Sequence, residues 1–119
     1  MSDLSDESFE RGARLFDAGA FFEAHEAWEQ RWLDETDEMR RRWLQGLIQI
    51  AAAFHKLLMV GSANAAMRLL AKGIAKLEGC PESVAGLEIA AFREGVRACA
   101  SGLAEGRFDR AAIPRLNSR

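Results

Sequence analysis

Apolar side chains recur at three- and four-residue spacing along most of this 119-residue chain. That period is the one a helix needs if one of its sides is to be buried. The spacing of Phe9, Ala13 and Phe16 is an example near the start of the chain. Ala, Leu, Glu and Arg dominate the composition and only two prolines are present, so helix is also the locally favoured conformation. The pattern therefore predicts an all-α protein.

Glycines and polar breaks divide this pattern into five helices. We predict them at about residues 5–19, 20–33, 37–60, 62–78 and 82–102. Gly19 and Gly61 suit left-handed turns at helix ends, Ser62 suits an N-cap, and Pro81 suits the first position of the last helix. The expected architecture is a bundle built from two helical hairpins and a C-terminal helix.

The chain length is enough for one hydrophobic core and too short for two. We therefore predict one domain over residues 1–119, with an ordered core at about 5–103 and a tail at 104–119 that packs loosely or frays. The third helix is apolar nearly all round from Leu44 onward, so it should be central. Asp34 or Thr36 is the expected N-cap of that helix.

Polar side chains interrupt the apolar faces of the second and third helices. They are His25, Glu29, Gln45, Gln49 and His55. We predict that these groups turn inward and meet across the seam between the two helices, with Glu26, Trp28 and Trp32 as further pocket candidates. Arg31 falls on the opposite, solvated face of its helix.

Three kinds of cluster fit these residues. A closed hydrogen-bond network would satisfy the buried groups, for example with Glu29 accepting from His25 or from a glutamine. A small-molecule pocket would use Trp28, Trp32 and Trp43 as walls and the polar groups as specific contacts. A metal-dependent or acid–base, hydrolase-like enzyme would use His25, Glu29 and His55 as a site for a divalent metal.

The metal hypothesis has a poor motif behind it. The segment HEAWE has glutamate where the HExxH motif needs its second histidine. No phosphate-binding loop or nucleophile elbow is present in the sequence either. We therefore assign no catalytic residue and no cofactor at this stage.

A protein-interaction module is a further alternative. Residues 15–33 have the small-residue and aromatic spacing of tetratricopeptide hairpins, although the internal echo has an offset of 42 residues rather than 34. A homodimer that buries an apolar helix face is also consistent with so small a bundle.

Charge and cysteine content restrict the partners and the compartment. The net charge of −2 predicts no general attraction to nucleic acid or to an anionic membrane. The longest apolar stretch, residues 47–60, is shorter than the roughly 20 residues that span a bilayer. Cys80 and Cys99 have no metal-ligand spacing, so we expect free thiols in the cytoplasm. Cys80 precedes a predicted helix start, which would favour its thiolate.

Several segments together resemble one known family. They are FFEAHEAWEQRW, WLQGLIQIAAAFHK, the Gly61 turn and RLLAKGIAKLEG. In this order they resemble domain of unknown function family 309 over about residues 9–100. The resemblance implies a compact, cytoplasmic all-α fold of four or five helices and no defined activity. It marks seven signature positions: His25, Glu26, Glu29, Gln45, Gly46, Gln49 and His55. Ser62 departs from the asparagine that the family often has after its glycine.

Overall fold

Five α-helices account for most of the chain in the computed structural model, which describes residues 7–117. A π-helical turn, a two-stranded hairpin and a short 3-10 turn complete that range. In chain order the elements are α1 (Glu7–Asp17), α2 (Phe21–Asp34), α3 (Glu38–His55), the π-helix (Lys56–Val60), α4 (Ala63–Lys76), β1 (Ser83–Val84), β2 (Leu87–Glu88), α5 (Ile89–Ala104) and the 3-10 turn (Arg110–Ala112). The predicted all-α fold with two helical hairpins is confirmed. The predicted start of the first helix near Ser5 lies outside the described residues.

The helix ends follow local chemistry. Gly19 and Gly61 adopt φ angles of +85° and +80°, as predicted for left-handed turns that L side chains disfavour. The Ser62 hydroxyl accepts a hydrogen bond from the Ala65 N–H at 3.3 Å, which confirms the predicted cap. The cap of α3 is Asp37 rather than Asp34 or Thr36, because the Asp37 carboxylate accepts from the Arg40 N–H at 2.9 Å.

Phe16 lies at the centre of the core. Its ring contacts Phe21 and Trp28 on α2, at centroid distances of 4.9 and 6.0 Å. It also contacts Phe54 on α3 at 6.1 Å and Phe92 on α5 at 5.3 Å. One residue of α1 therefore ties four helices together through aromatic contacts, each of which adds about 0.5–1.5 kcal/mol beyond its burial.

The α3–α4 pair approaches closely at two glycines. A Cβ at Gly46 would lie 2.9 Å from the Gly73 carbonyl oxygen, and a Cβ at Gly73 would lie 2.8 Å from the Gly46 carbonyl oxygen. Gly46 and Gly73 thus allow α4 to approach α3 closely. The predicted polar cluster, in contrast, concerns the seam between α3 and its other neighbour, α2.

The last helix begins later than predicted. Residues 83–88 form a β-hairpin in which Val84 pairs with Leu87, so Pro81 is not the first residue of a helix. Ala85 and Gly86 both adopt positive φ, at 53° and 80°. A two-residue hairpin turn needs this combination.

The C-terminal tail folds back onto α1. The Asp17 carboxylate accepts hydrogen bonds from the backbone N–H groups of Leu116 at 2.7 Å and Asn117 at 3.0 Å. The Leu116 side chain is fully buried. Specific contacts therefore connect the tail to α1 at residues 116 and 117.

Arg31 is buried, against the prediction that it lies on a solvated face. Its guanidinium forms an ion pair with Glu35 at 2.8 Å, and both side chains are almost fully enclosed. The second Glu35 oxygen accepts from the Asp37 N–H at 2.8 Å. This pair fixes the loop that connects α2 to α3.

The helical segment from Glu38 to Val60 is long and apolar enough to cross a bilayer by length and composition. The protein itself covers 44% of its most apolar window. The core helix of a globular protein gives the same result, and the fold around this segment is a compact globule.

Candidate functional site

The seam between α2 and α3 is fixed by a contact at each end. At one end the rings of Phe22 and His55 lie 5.2 Å apart between centroids. At the other end the Arg41 guanidinium lies 4.0 Å above the Trp32 ring and donates a hydrogen bond to the Trp32 carbonyl oxygen at 3.1 Å. The two helices therefore run antiparallel, with Phe22 beside His55 and Trp32 beside Arg41.

The signature polar residues lie between these two ends. On α2, His25 and Glu29 follow Phe22 at helical spacing, so they occupy the edge of the seam. On α3, Gln45 follows Arg41 by one turn, and Gln49 follows Gln45 by another. His25, Gln45 and Gln49 are half-buried, whereas Glu29 is exposed. We call this strip, from the Phe22–His55 contact to the Trp32–Arg41 contact, the α2–α3 seam.

The two imidazoles meet around a phenyl ring. Phe22 stacks on His25, with 6.1 Å between ring centroids and 21° between planes, and it contacts His55 from the other helix. Phe22 itself is 46% exposed. His25 and His55 therefore both contact the Phe22 ring, the first from α2 and the second from α3.

The closed hydrogen-bond network proposed for this seam is not formed. Within residues 7–117, His25 Nδ1 and Gln49 Oε1 are buried and have no hydrogen-bond partner. Glu29, the proposed acceptor, is exposed, as is Glu26. A buried polar group without a partner costs on the order of 1–3 kcal/mol, so these two atoms do not add to the stability of the seam through hydrogen bonds within the described residues.

The proposed metal triad also receives no support from the geometry. Among residues 7–117, no three side chains of His, Cys, Asp or Glu lie close enough to hold a metal ion. The reason is visible at His25 and His55, which face the Phe22 ring, and at Glu29, which faces solvent.

The three tryptophans do not line a common pocket. Trp28 is fully buried in the core, and its Nε1–H donates to the Phe9 carbonyl oxygen at 3.0 Å. Trp32 closes the Arg41 end of the seam. Trp43 is half-buried with an unpartnered Nε1, and it lies nearly opposite Gln45 on the helical wheel of α3. Of these residues, only Trp32 belongs to the seam.

A pocket of about 260 Å³ opens at the His55 end of the seam. Its lining residues come from the α1–α2 turn, the start of α2, the end of α3, the π-helix and the tail. They are Gly19, Ala20, Phe21, Phe22, Glu23, His55, Leu58, Met59 and Arg110. We call it the His55 pocket. π-Helical turns are rare, and they occur often at functional sites. Here the turn begins directly after His55.

Sequence reasoning missed most of this pocket. Phe22 alternates with core positions and carries no motif. The predicted third helix runs through Leu58 and Met59 without interruption, because a π-helical turn has no distinct amino-acid composition. Arg110 lies in a tail that was predicted to be loose. The local sequence around Arg110 offers one indication of a site, which is a basic side chain next to small residues.

Other pockets in the described part of the chain include the following two. One of about 220 Å³ adjoins the His55 pocket and shares Gly19, Phe21 and Arg110 with it. The larger, of about 510 Å³, lies at the end of α5 beside Cys99 and Phe108.

Neither cysteine thiol is activated as a nucleophile. Burial raises the pKa of the Cys80 thiol to about 11, although Arg93 lowers it in part. Burial also raises the pKa of the Cys99 thiol. The expected activation of Cys80 by a helix start is wrong, because a hairpin follows it and the half-buried thiol stays protonated at neutral pH.

Comparisons with known proteins agree with this picture of the fold. A crystal structure of a conserved hypothetical protein from Thermus thermophilus is similar, with a TM-score of 0.66 and 35% sequence identity. The alignment covers 80% of this chain and 97% of that one. No functionally curated protein matches the chain significantly.

The family comparison covers the seam. The sequence profile of a domain of unknown function, DUF309, matches residues 9–69. This range contains the whole α2–α3 seam and every residue of the His55 pocket except Arg110. It ends before the larger pocket beside α5. The chain belongs to the DUF309 family.

Proposed function

We propose that this protein is a small-molecule-binding domain whose ligand occupies the His55 pocket and the adjoining part of the α2–α3 seam. One observation carries the proposal: two histidines from different helices contact one half-exposed phenyl ring beside a pocket. A concave site with apolar walls and a few polar groups is the usual form of a ligand site.

The unpartnered atoms of the seam support the same proposal. Gln49 Oε1 accepts hydrogen bonds only, so it suits a ligand that donates an N–H or an O–H. His25 Nδ1 donates or accepts according to its tautomer. Polar atoms left buried without partners are uncommon in proteins, and a ligand group that pairs with them recovers the cost.

The walls of the pocket supply apolar contact. Phe22 and Met59 are 46% and 74% exposed, and both line the pocket. Burying these two side chains under a ligand would contribute about 25 cal/mol per Å² of apolar surface covered. A ligand with an apolar part beside a hydrogen-bonding part fits both features.

A fragment screen by thermal unfolding tests this proposal. A fragment at ten times its dissociation constant stabilises the protein by about 1.4 kcal/mol, which raises Tm by several degrees in a domain of this size. We expect fragments that raise the Tm of the wild type and of Leu33→Ala, and that have little effect on Phe22→Ala. Leu33 is the matched control, since it is an exposed apolar residue of the same helix. Equal responses from Phe22→Ala and the wild type would refute the proposal.

Two further proposals concern the cellular location and the protein partners. We propose a cytoplasmic protein, supported by the compact globular fold and by the enclosed side of the Glu38–Val60 segment. A homodimer or a protein partner is a second use for the exposed Met59 and Val60 side chains. Such a partner would cover the mouth of the His55 pocket.

A further inference from the structure

We infer that the ligand is an anionic amphiphile, a small molecule with an apolar tail and one carboxylate, whose carboxylate pairs with Arg110. This inference rests on the proposed function, since it assigns a ligand class to the same pocket. It depends on the position of Arg110, on the apolar wall opposite and on the neighbouring pocket.

Arg110 lies where two pockets join. It lines both the His55 pocket and the adjoining pocket of about 220 Å³. Its Nη2 lies 3.1 Å from the position of a Cβ on Gly19, so the guanidinium rests against the α1–α2 turn. Within residues 7–117 its side chain has no hydrogen bond or ion pair. A guanidinium in a fork geometry binds a carboxylate with two parallel hydrogen bonds.

The apolar wall of the His55 pocket is formed by residues of α2 and the π-helix. Phe21, Phe22, Leu58 and Met59 line the His55 pocket together. An alkyl or aryl tail placed here would cover the exposed Phe22 and Met59 surfaces. The His55 ring, at 5.2 Å from Phe22, supplies a hydrogen-bonding edge beside that tail.

The carboxylates of Asp17 and Glu23 also border the two adjoining pockets. The charge of Glu23 allows a test that distinguishes anionic from cationic ligands. The Asp17 carboxylate accepts hydrogen bonds from Leu116 and Asn117, so it is occupied by the tail. Glu23 lines the His55 pocket and is exposed. Its charge opposes an anion and would attract a cation. Neutralising Glu23 therefore changes the affinity in opposite directions for the two ligand classes.

Hexanoate is a suitable probe, with hexan-1-ol and hexylamine as neutral and cationic analogues. Binding to the full chain is measured by isothermal titration calorimetry. We expect hexanoate to bind more tightly than either analogue. Arg110→Gln should weaken its binding about tenfold, or about 1.4 kcal/mol, because the charge-assisted hydrogen bonds to the carboxylate are lost. Glu23→Gln should tighten it about two- to fivefold, the size expected for an exposed charge pair.

The control variant is Arg107→Gln, an exposed arginine at the larger pocket beside α5, which should leave hexanoate binding unchanged. Arg110 is also exposed, so both variants should keep the wild-type circular dichroism spectrum and Tm. The inference is overturned if hexanoate does not bind, if hexan-1-ol or hexylamine binds as well, or if Arg110→Gln has no effect. Fragments that still depend on Phe22 would then leave the proposed binding function standing without this ligand class.

Discussion

At the residue scale, the main finding is that the seam places polar atoms in buried positions without satisfying them. Among the residues that the structure describes, Gln49 Oε1 and His25 Nδ1 are the two cases at the seam. In contrast, the buried Trp28 Nε1–H has a partner in the core. The Trp28 hydrogen bond holds the fold together, whereas we propose that the two seam atoms pair with a ligand.

Replacing Gln49 by leucine tests this distinction. Because the Gln49 carbonyl oxygen has no partner to lose, we expect Gln49→Leu to leave the free energy of unfolding unchanged or to raise it by up to about 1 kcal/mol. Urea denaturation measures this effect. Trp28→Phe is the contrasting variant and should lose about 1–3 kcal/mol, since it removes the buried hydrogen bond from the Trp28 Nε1–H to the Phe9 carbonyl oxygen. A loss of more than about 1 kcal/mol in Gln49→Leu would mean that the glutamine does take part in a stabilising network.

The reactivity of Cys80 follows from its pKa of about 11. A raised pKa keeps the thiol protonated below that value, so the reactive thiolate is scarce at pH 7–9. We expect iodoacetamide to alkylate Cys80 in the folded protein far more slowly than in the urea-unfolded chain at pH 8, with the rate still rising above pH 10. Mass spectrometry of the modified peptide gives the rate. A plateau near pH 9 would show an ordinary thiol.

At the element scale, the helices were predictable wherever periodicity and local capping agreed. The spacing of Phe9, Ala13 and Phe16 gave α1, and Ser62 gave the start of α4. Periodicity failed at the π-helix after His55, because one extra residue per turn leaves no mark in composition. It failed again at residues 82–88, where a two-residue turn with Ala85 at positive φ replaces the expected first helical turn.

In the hairpin turn, Ala85 adopts a left-handed backbone conformation that alanine disfavours. A left-handed alanine costs on the order of 1 kcal/mol, and Asn-Gly is the favoured pair for a turn with two positive φ angles. We expect Ala85→Asn to raise the free energy of unfolding by about 0.5–1 kcal/mol, as measured by thermal or urea denaturation. Ala85→Val is the opposing control and should lower it, because branched side chains fit this region worst. The turn geometry would be in doubt if the two variants were equally stable.

At the scale of the whole molecule, the tail completes both the core and the candidate site. The Cα radius of gyration is 13.1 Å, close to the roughly 13 Å of a single compact domain of this size. Leu116 is fully buried and Arg110 lines two pockets. Neither contact could be predicted from the sequence, because each joins residues about 90–100 positions apart and depends on how the helices pack.

Truncating the tail anchor should therefore destabilise the protein. We expect Leu116→Ala to lower the free energy of unfolding by about 2–5 kcal/mol, the usual cost of removing a buried leucine side chain. Arg115→Ala, at the exposed neighbouring position, should change it by less than about 0.5 kcal/mol. Equal stabilities of the two variants would show that the tail does not pack on α1 in solution.

Mapping the ligand site by nuclear magnetic resonance tests the central claim most directly. Chemical shifts of the assigned, labelled protein are followed while a fragment that raises its Tm is added. The predicted result is that the largest shift changes occur at Phe22, His55 and Met59. Largest changes at Cys99 and Phe108, beside the bigger pocket at the end of α5, would contradict it.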